Sequence, residues 1–415
     1  MSQELLRIVD NIARDKNIDK ESIFQDLEAA MVSATRKYFG SPDIEVAVYI
    51  DRKTGEITVH KDDVQIDIRQ LGRIPAQTAK QVMIQKIRAD ERDSIYAEFV
   101  QRRGEIVNGT TGRYEGGTLI VNVGGRAEGF MPKSEQISGE TNHPGERIRC
   151  LILDVREASN QVKIILSRTH PDFIKKLFGL EVPEVAESII EIKGLAREAG
   201  YRTKIAVFSN DDKVDAVGAC VGVRGSRIRS IVDELGGEKI DIVRWSDSSQ
   251  VLITNALMPA KVREIALCFE LGRATVVVGE DQLSLAIGKH GQNVRLAARL
   301  TGWDIDILTP DEYNKEVECL AASLKDVEEV DDTFVDKLLA LGIISVLDLE
   351  EVGTEPLVGE LGVDTELAKK IVAAASEEAK KMASEKSKKQ AEDIMEQEQL
   401  EQGQQAEQKG QEDLQ

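Results

Sequence analysis

Apolar residues recur at regular spacings that change along the chain, and each spacing predicts one kind of element. Residues 3–17 and 19–39 place them at helical spacing, which predicts two helices. Residues 43–67 alternate apolar and polar positions about a Lys-Thr-Gly turn, as in a β-hairpin, and residues 74–104 have the pattern of a long, strongly charged helix. Together these elements predict an N-terminal α+β domain over residues 1–103.

Short strands and glycine turns replace the helical pattern after residue 104. Five short strands fall within about 65 residues, which is typical of a small closed barrel of the OB type. We therefore expect such a barrel over residues 104–170, with Gly109 and Gly112 in one of its hairpin turns.

One layout of strand, helix, glycine-bounded loop, helix and strand then occurs twice. The two loops lie in VGVRGSRI and IGKHGQNV, and their glycine pairs begin at Gly222 and Gly288. The pattern continues to match beyond the glycines, since Ile228 of the first copy corresponds to Val294 of the second. Gly-x-x-Gly spacing alone means little in a chain with 32 glycines, but two such loops in register indicate a duplicated unit.

The repeat sets the next domain boundaries. We expect residues 171–270 to form the first repeated domain, with residues 171–200 helical. We expect residues 271–315 to form the second repeated domain, preceded by a helix from about residue 259.

The C-terminal quarter of the chain is acidic. Residues 320–375 predict an acidic helical segment whose short helices meet at Leu-Gly-Ile and Leu-Gly-Val, and residues 376–415 predict a low-complexity tail. Residues 311–415 carry 28 Asp and Glu against 11 Lys and Arg, which accounts for −17 of the formal net charge of −20. This acidity favours a protein-binding or self-shielding role for the C-terminus and does not exclude RNA binding by the upstream domains.

The duplicated loops have the composition of an RNA-binding element. Glycines at both ends let a loop backbone approach a sugar-phosphate chain closely, because no Cβ intervenes. The helix that follows directs free N–H groups and a partial positive charge at a phosphate, and basic side chains supply further cations. The alternative is a helix–turn–helix with a solvated basic loop. The candidate RNA-binding residues are Gly222, Val223, Arg224, Gly225, Arg227 and Arg229 in the first copy, and Gly288, Lys289, His290, Gly291, Asn293 and Arg295 in the second.

No pattern in the chain predicts catalysis. The sequence contains neither the phosphate-binding loop of ordinary ATPases nor a His-Glu-x-x-His zinc motif, and its four histidines are isolated. Its four cysteines are scattered, as is typical of reduced structural thiols. We therefore expect a protein that is not an enzyme and that uses no cofactor or metal. Because there is no long apolar run and no signal-peptide pattern, we also expect a cytoplasmic protein without membrane contact. We further expect a monomer.

Several segments resemble known RNA-binding families. VGVRGSRI and IGKHGQNV are similar to the loops of paired KH domains, and GEIVNGTTGRY with HPGERIRCLILDV is similar to an OB barrel of the ribosomal-protein type. With the domain order, GACVGVRGSRI, LGGEKIDIV and AIGKHGQNVRLAARLTGW resemble the NusA family of bacterial transcription elongation, termination and antitermination factors over residues 1–370. The implied fold is multidomain α+β: an N-terminal α+β domain, an OB-type barrel, two tandem KH domains, an acidic helical repeat of helix-hairpin-helix type and a disordered tail.

The resemblance also implies partners and further RNA contacts. It implies that the N-terminal domain binds core RNA polymerase, that the barrel and both KH domains bind nascent single-stranded RNA, and that other transcription factors are partners. In the barrel it points to Phe130, His143 and Arg168, with Tyr114 a weaker candidate. An aromatic ring can stack on a base and an arginine can pair with a phosphate. The alternatives are that Phe130 packs in the barrel core and that His143 is a plain turn residue.

The expected function is that of an RNA-binding transcription factor that modulates pausing, termination and antitermination. The alternative is a free RNA-binding chaperone, or an accessory protein of ribosome assembly or RNA processing, which would use the same KH and barrel modules. Binding of core RNA polymerase by the N-terminal domain distinguishes the two functions.

Overall fold

The chain forms two compact units. The computed structural model describes residues 2–16, 19–40, 45–62, 64–66, 73–158, 161–325, 327 and 330–381. The first unit contains the chain up to Ala186 together with Arg229–Glu238, and the second contains Glu187–Ile228 and the chain from Lys239 onward. Among the helices that are described, none is both long enough and apolar enough to cross a membrane.

The first unit begins with the α+β domain that the hydrophobic pattern predicts. The Asp19 carboxylate accepts hydrogen bonds from the N–H groups of Glu21 and Ser22, which is why the second helix starts where it does. Three antiparallel strands follow and form one sheet, in which their order matches their order along the chain. The elements are α1 (Ser2–Lys16), α2 (Lys20–Phe39), β1 (Val46–Ile50), β2 (Ile57–Lys61), β3 (Val64–Ile66) and α3 (Arg73–Gln101).

A closed five-stranded barrel follows the long helix α3, as the sequence predicts. Its strands alternate buried and outward-facing residues, and Phe99 near the end of α3 joins the barrel core. The strands close in the order β4-β5-β6-β8-β7. They are β4 (Ile106–Glu115), β5 (Thr118–Val123), β6 (Ala127–Met131), β7 (Arg147–Ala158) and β8 (Gln161–Ser167).

The predicted hairpin turn at Gly109 and Gly112 is wrong, because both glycines lie inside β4. The turn between β4 and β5 instead uses Gly116 and Gly117, which both have positive φ. A Cβ on Gly109 would collide with Cγ1 of Val121 on the neighbouring strand. Gly109 therefore serves the packing inside the barrel rather than chain reversal.

The prediction that residues 171–200 are helical is only partly correct. Helices α4 (Pro171–Glu181) and α5 (Pro183–Ala186) belong to the first unit, but Ile190–Glu198 forms a strand, β9, of the second. This segment pairs antiparallel with the strand that follows it. It begins IEIKGLA, in which apolar and polar residues alternate only briefly before a glycine interrupts them. So short an alternation is a weak local signal for a strand.

The second unit contains the duplicated layout. Each copy has a three-stranded sheet in which the central strand pairs antiparallel with one neighbour and parallel with the other. The first copy comprises β9, β10 (Arg202–Ser209), α6 (Ala216–Val221), α7 (Ser226–Glu234, which continues into the first unit) and β11 (Lys239–Arg244). The second comprises α8 (Ser249–Ala256), β12 (Val262–Cys268), β13 (Arg273–Val278), α9 (Glu280–Ile287), α10 (Gln292–Thr301) and β14 (Asp304–Leu308).

The helix expected from about residue 259 is also wrong, because Val262–Cys268 is strand β12 of the second sheet. Val262, Ile265 and Cys268 are three residues apart, a spacing that favours one face of a helix. The segment forms a strand because it pairs with β13, and no local pattern in the sequence predicts this pairing.

Helices form the C-terminal part of the second unit. These helices form a hydrophobic core that contains Leu320, Leu338 and Leu349. Cys268 at the end of β12 belongs to the same core. The helices are α11 (Pro310–Leu324), α12 (Asp332–Ala340), α13 (Val346–Val352), α14 (Glu355–Leu361) and a last segment at 365–381. Residues 376–381 of the predicted tail belong to this last helix, and the rest of the tail lies outside the described residues.

Candidate nucleic-acid interface

The two glycine-bounded loops have the same backbone conformation. Gly222 and Gly288 have φ/ψ angles of 74°/175° and 73°/175°. At the third loop position, Arg224 and His290 have angles of 52°/28° and 54°/30°. In each loop the last glycine donates its N–H to the carbonyl of the first, at 3.1 and 3.2 Å. The repeat in the sequence is thus a repeat of one local structure.

The first position of each loop accepts only glycine, for two reasons. A positive φ with ψ near 180° is a conformation that essentially only glycine adopts. In addition, a Cβ on Gly222 would lie 2.8 Å from Cγ of Arg227, and a Cβ on Gly288 would lie 2.8 Å from Cβ of Asn293. The side chain from the following helix therefore packs directly on the loop backbone.

Arg227 and Asn293 occupy equivalent positions and brace the loops from inside. Arg227 donates through Nη1 to the carbonyl of Ala219 at 2.7 Å. Asn293 donates through Nδ2 to the carbonyls of Leu257, Leu285 and Ala286 at 3.2, 3.3 and 3.1 Å, and it is only 1% exposed. The expectation that Asn293 contacts RNA conflicts with this burial, because its amide already serves the protein backbone. Arg227 is half-buried and has the same bracing role.

The residues between the glycines are exposed. Val223 is 82% exposed, and Arg224, Lys289 and His290 are exposed as well. Helix α10 begins directly after the second loop and has no side-chain cap. The N–H of Gln292 donates to the carbonyl of Lys289, but no side chain covers the positive end of the helix. Exposed cations beside an uncapped helix start make a surface suited to a phosphate.

The two arginines that follow the loops differ in their surroundings. Arg295 on α10 donates through Nη2 to the carbonyl of His290 at 2.8 Å and through Nη1 to the Glu198 carboxylate at 3.0 Å. Arg229, at the matching position of α7, is exposed. Arg295 thus contacts the backbone of its own loop.

In the barrel, Phe130 lies on the outward face. It is half-buried between Gly129 and Met131 on β6, and it is Met131, not Phe130, that packs in the barrel core. Tyr114 is 48% exposed on β4. The His143 ring is exposed, while its backbone N–H binds the Glu146 carboxylate at 2.9 Å within a turn. The structure therefore agrees with an outward Phe130 and also with His143 as a turn residue.

Arg168 does not face solvent, contrary to the expectation that it contacts RNA. It is 4% exposed, and its guanidinium donates to both carboxylate oxygens of Glu140 at 2.9 and 2.7 Å and to Glu234 at 3.0 Å. Burial alone would lower the pKa of Arg168, but its hydrogen bonds and attraction to Glu140 and Glu234 outweigh burial and raise that pKa. Arg168 joins parts of the first unit and is not available to a phosphate.

Family models match three parts of the chain. The model of the NusA N-terminal domain matches residues 4–63 and 59–93. The NusA-like first KH domain matches residues 168–245, and the NusA-like second KH domain matches residues 249–315. Each KH match contains one glycine-bounded loop.

Curated proteins are similar to this chain over most of its length. The transcription termination/antitermination protein NusA of Rickettsia conorii is 37% identical over 89% of this chain and 80% of its own length. The chain belongs to the NusA family. The NusA proteins of Bacillus subtilis and Mycobacterium bovis are 41% and 43% identical over 74% and 71% of this chain, and over 91% and 89% of their own lengths.

This NusA-family chain has a polar groove on the barrel that the sequence alone did not predict. The groove has a volume of about 820 Å³ and lies on the outer face of β4, β5 and β7. Thr110 pairs with Asn122 on one side and with Arg147 on the other, and Asn108 pairs with Arg149 in the next row. Their amide, hydroxyl and guanidinium groups share one surface.

Arg147 is the available cation of this groove. Arg149 lies 3.6 and 3.7 Å from the carboxylates of Glu181 and Glu234, whereas exposed Arg147 has no ion pair among the residues that the structure describes. The alternation in ERIRCLIL could have identified it, because Arg147 and Arg149 share one strand face opposite the buried Ile148 and Cys150.

Other reactive groups of this NusA-family chain are dispersed or buried. Within the described ranges, no three His, Cys, Asp or Glu side chains come together as metal ligands would. Cys150 is buried in the barrel core, and burial raises the pKa of its thiol to about 12.

Proposed function

We propose that this chain is an RNA-binding transcription factor that binds RNA polymerase and nascent RNA and thereby modulates pausing, termination and antitermination, without catalytic turnover. The observation that carries the proposal is the duplicated loop: two KH units of one NusA-family chain hold the same exposed, phosphate-compatible conformation. The names of the relatives, which are termination/antitermination proteins, support the same function.

The KH loops hold the sugar-phosphate backbone in this proposal. Lys289, His290 and Arg224 face the phosphates, and Val223 lies against the RNA strand. The loop glycines allow the RNA backbone to approach the loop backbone closely. Arg229 extends the first contact along α7, and Arg295 supports the second loop from behind. Because both loops belong to one chain, RNA that is bound at one loop has a raised effective concentration at the other.

The barrel also binds RNA in this proposal. Phe130 and Tyr114 offer aromatic rings for stacking, and His143 stands exposed in a neighbouring turn. For the phosphate we assign Arg147 in place of the buried Arg168. Asn108 and Asn122 beside it present amide groups that can donate to or accept from base edges.

We further propose that the N-terminal domain binds core RNA polymerase and that the acidic C-terminal repeat binds another transcription factor. The match of the N-terminal domain model to residues 4–93 supports the first assignment. The net charge of −17 over residues 311–415 supports a protein rather than an RNA partner for the C-terminus.

Two measurements on the full chain test the proposal. Purified bacterial core RNA polymerase should retain the chain in a pull-down, and the chain should lengthen the lifetime of polymerase at a hairpin pause. An unchanged pause lifetime at saturating protein would contradict the proposal. RNA binding without any retention by polymerase would favour the alternative, a free RNA-binding chaperone.

A further inference from the structure

A carboxylate of the first KH sheet binds the helix that follows the second KH loop. Glu198 is the last residue of β9, and its two oxygens accept from Nε2 of Gln292 at 2.8 Å and from Nη1 of Arg295 at 3.0 Å. Gln292 begins α10, directly after the loop, and Arg295 lies one turn further on. The Glu198 side chain is only 21% exposed.

The contact continues into the second loop. The other terminal nitrogen of Arg295, Nη2, donates to the carbonyl of His290 at 2.8 Å. Because a guanidinium is planar and rigid, a carboxylate that fixes Nη1 also fixes the direction of Nη2. Glu198 therefore reaches the loop backbone through one intervening side chain.

Packing holds Glu198 in place for this contact. Helix α10 lies on β9, and Leu296 and Leu300 share a core with Ala196. A Cβ on Gly194 would lie 3.2 Å from Cδ1 of Leu300, so the helix approaches the strand closely. The strand that carries Glu198 thus has a defined position relative to the start of α10.

We infer that Glu198 is a positioning residue for RNA: the first KH sheet sets the conformation of the second KH loop through Arg295. The inference rests on the proposed RNA-binding function of the loops. The first loop is supported within its own KH unit by Arg227. The second loop has Asn293 as an internal brace but takes its additional support from the first KH sheet. The second KH loop then takes its RNA-binding conformation only next to the first KH sheet.

The direction in which RNA affinity changes when Glu198 is replaced distinguishes a positioning role from simple charge repulsion. A carboxylate near an RNA track repels phosphates, so its removal by charge alone should strengthen RNA binding. If Glu198 positions the loop, Glu198→Ala should instead weaken binding of single-stranded RNA about three- to tenfold, the range expected when a partly exposed, charge-assisted hydrogen bond is removed. Glu198→Gln keeps an acceptor for Arg295 and should lie closer to the unchanged chain.

The experiment measures affinity of the full chain for single-stranded RNA in three backgrounds. Glu198→Ala is made in the unchanged chain, in Lys289→Asp/His290→Asp, and in Val223→Asp/Arg224→Asp. Glu270→Ala is the matched control, because Glu270 is an exposed carboxylate at the corresponding hairpin of the second KH unit. The control should leave affinity unchanged or slightly higher.

The two loop backgrounds decide the result. Glu198→Ala should lose its effect when the second loop is already altered and keep it when the first loop is altered, as coupled sites do in a double-mutant cycle. An equal effect in both backgrounds, stronger binding by Glu198→Ala, or no effect while the loop variants weaken binding would each overturn the inference. If the loop variants themselves leave binding unchanged, the proposed RNA-binding function of the loops fails instead.

Discussion

Two arginines of the barrel show that the surroundings of a residue decide its role. The sequence places both Arg147 and Arg168 among the short strands of the barrel, and the resemblance to known barrels points to Arg168 alone. The partners that bury Arg168 are Glu140 and Glu234, which lie 28 and 66 residues away along the chain. Such distant pairings leave no local pattern, so the sequence does not reveal that Arg168 is buried.

Substitutions at these two arginines should have opposite consequences. Arg168→Met leaves Glu140 and Glu234 without their buried cation and should cost about 3–5 kcal/mol of barrel stability. Arg147→Glu is exposed and should change stability by less than about 0.5 kcal/mol, yet it should weaken RNA binding and reduce its salt dependence by about 0.7 per phosphate contact.

Both tryptophans lie in the second unit, so tryptophan fluorescence does not report on the barrel. The stability of the barrel is therefore measured by hydrogen exchange of the amides of β7 and β8. RNA affinity is measured at several salt concentrations where each variant is folded. If the folded Arg168→Met protein bound RNA more weakly while Arg147→Glu kept its affinity, the assignment of Arg147 would be wrong.

At the level of elements, the sequence predicts the repeat but not all of its strands. The loops are identifiable because glycine pairs, basic residues and apolar positions recur in register. Strands β9 and β12 are not, because only tertiary contacts define them: α10 covers one face of β9, and β12 forms by pairing with β13. The bracing roles of Arg227 and Asn293 escape sequence reasoning for the same reason, since their backbone partners become adjacent only on folding.

The tight loop geometry makes a testable prediction about its first glycine. Gly288→Ala forces alanine into a glycine-only conformation and pushes its Cβ against Asn293, which should cost about 2–4 kcal/mol. Gly302→Ala is the control, because Gly302 has a φ of +77° but open space around a Cβ; it should cost about 1 kcal/mol.

Urea unfolding followed by tryptophan fluorescence measures both variants, because Trp245 and Trp303 lie in the second unit with these glycines. Equal decreases of stability in Gly288→Ala and Gly302→Ala would mean that the contact with Asn293 is unimportant. A larger decrease in Gly288→Ala supports the tight loop geometry, in which the glycine-only backbone conformation and the close approach of Asn293 act together.

For the whole molecule, net charge is a poor guide to RNA binding, because the charges are segregated. The acidic C-terminal helices do not stand apart from the second KH unit: Asp348 and Glu351 on α13 bind Arg273 of β13, and Gly342 abuts the backbone of Leu267. The sequence predicts the acidity and the small helical core, but not this packing, which depends on contacts 75 and 78 residues apart.

In the proposed function, the two KH loops hold RNA through the exposed residues between their glycines. Carboxylates at these positions would face phosphates directly, and Asp tolerates the positive φ of Arg224 and His290, so the fold should survive. The most direct measurement is therefore the affinity of the full chain for single-stranded RNA across a series of salt concentrations.

Three proteins are compared: the unchanged chain, Lys289→Asp/His290→Asp and Val223→Asp/Arg224→Asp. Both variants should bind at least tenfold more weakly at low salt, since each lacks phosphate interactions worth about 1.4 kcal/mol or more. Their salt dependence should also be shallower, by about 0.7 for each phosphate that the variant no longer binds. Unchanged affinity and an unchanged salt slope in both variants would contradict this account of the loops.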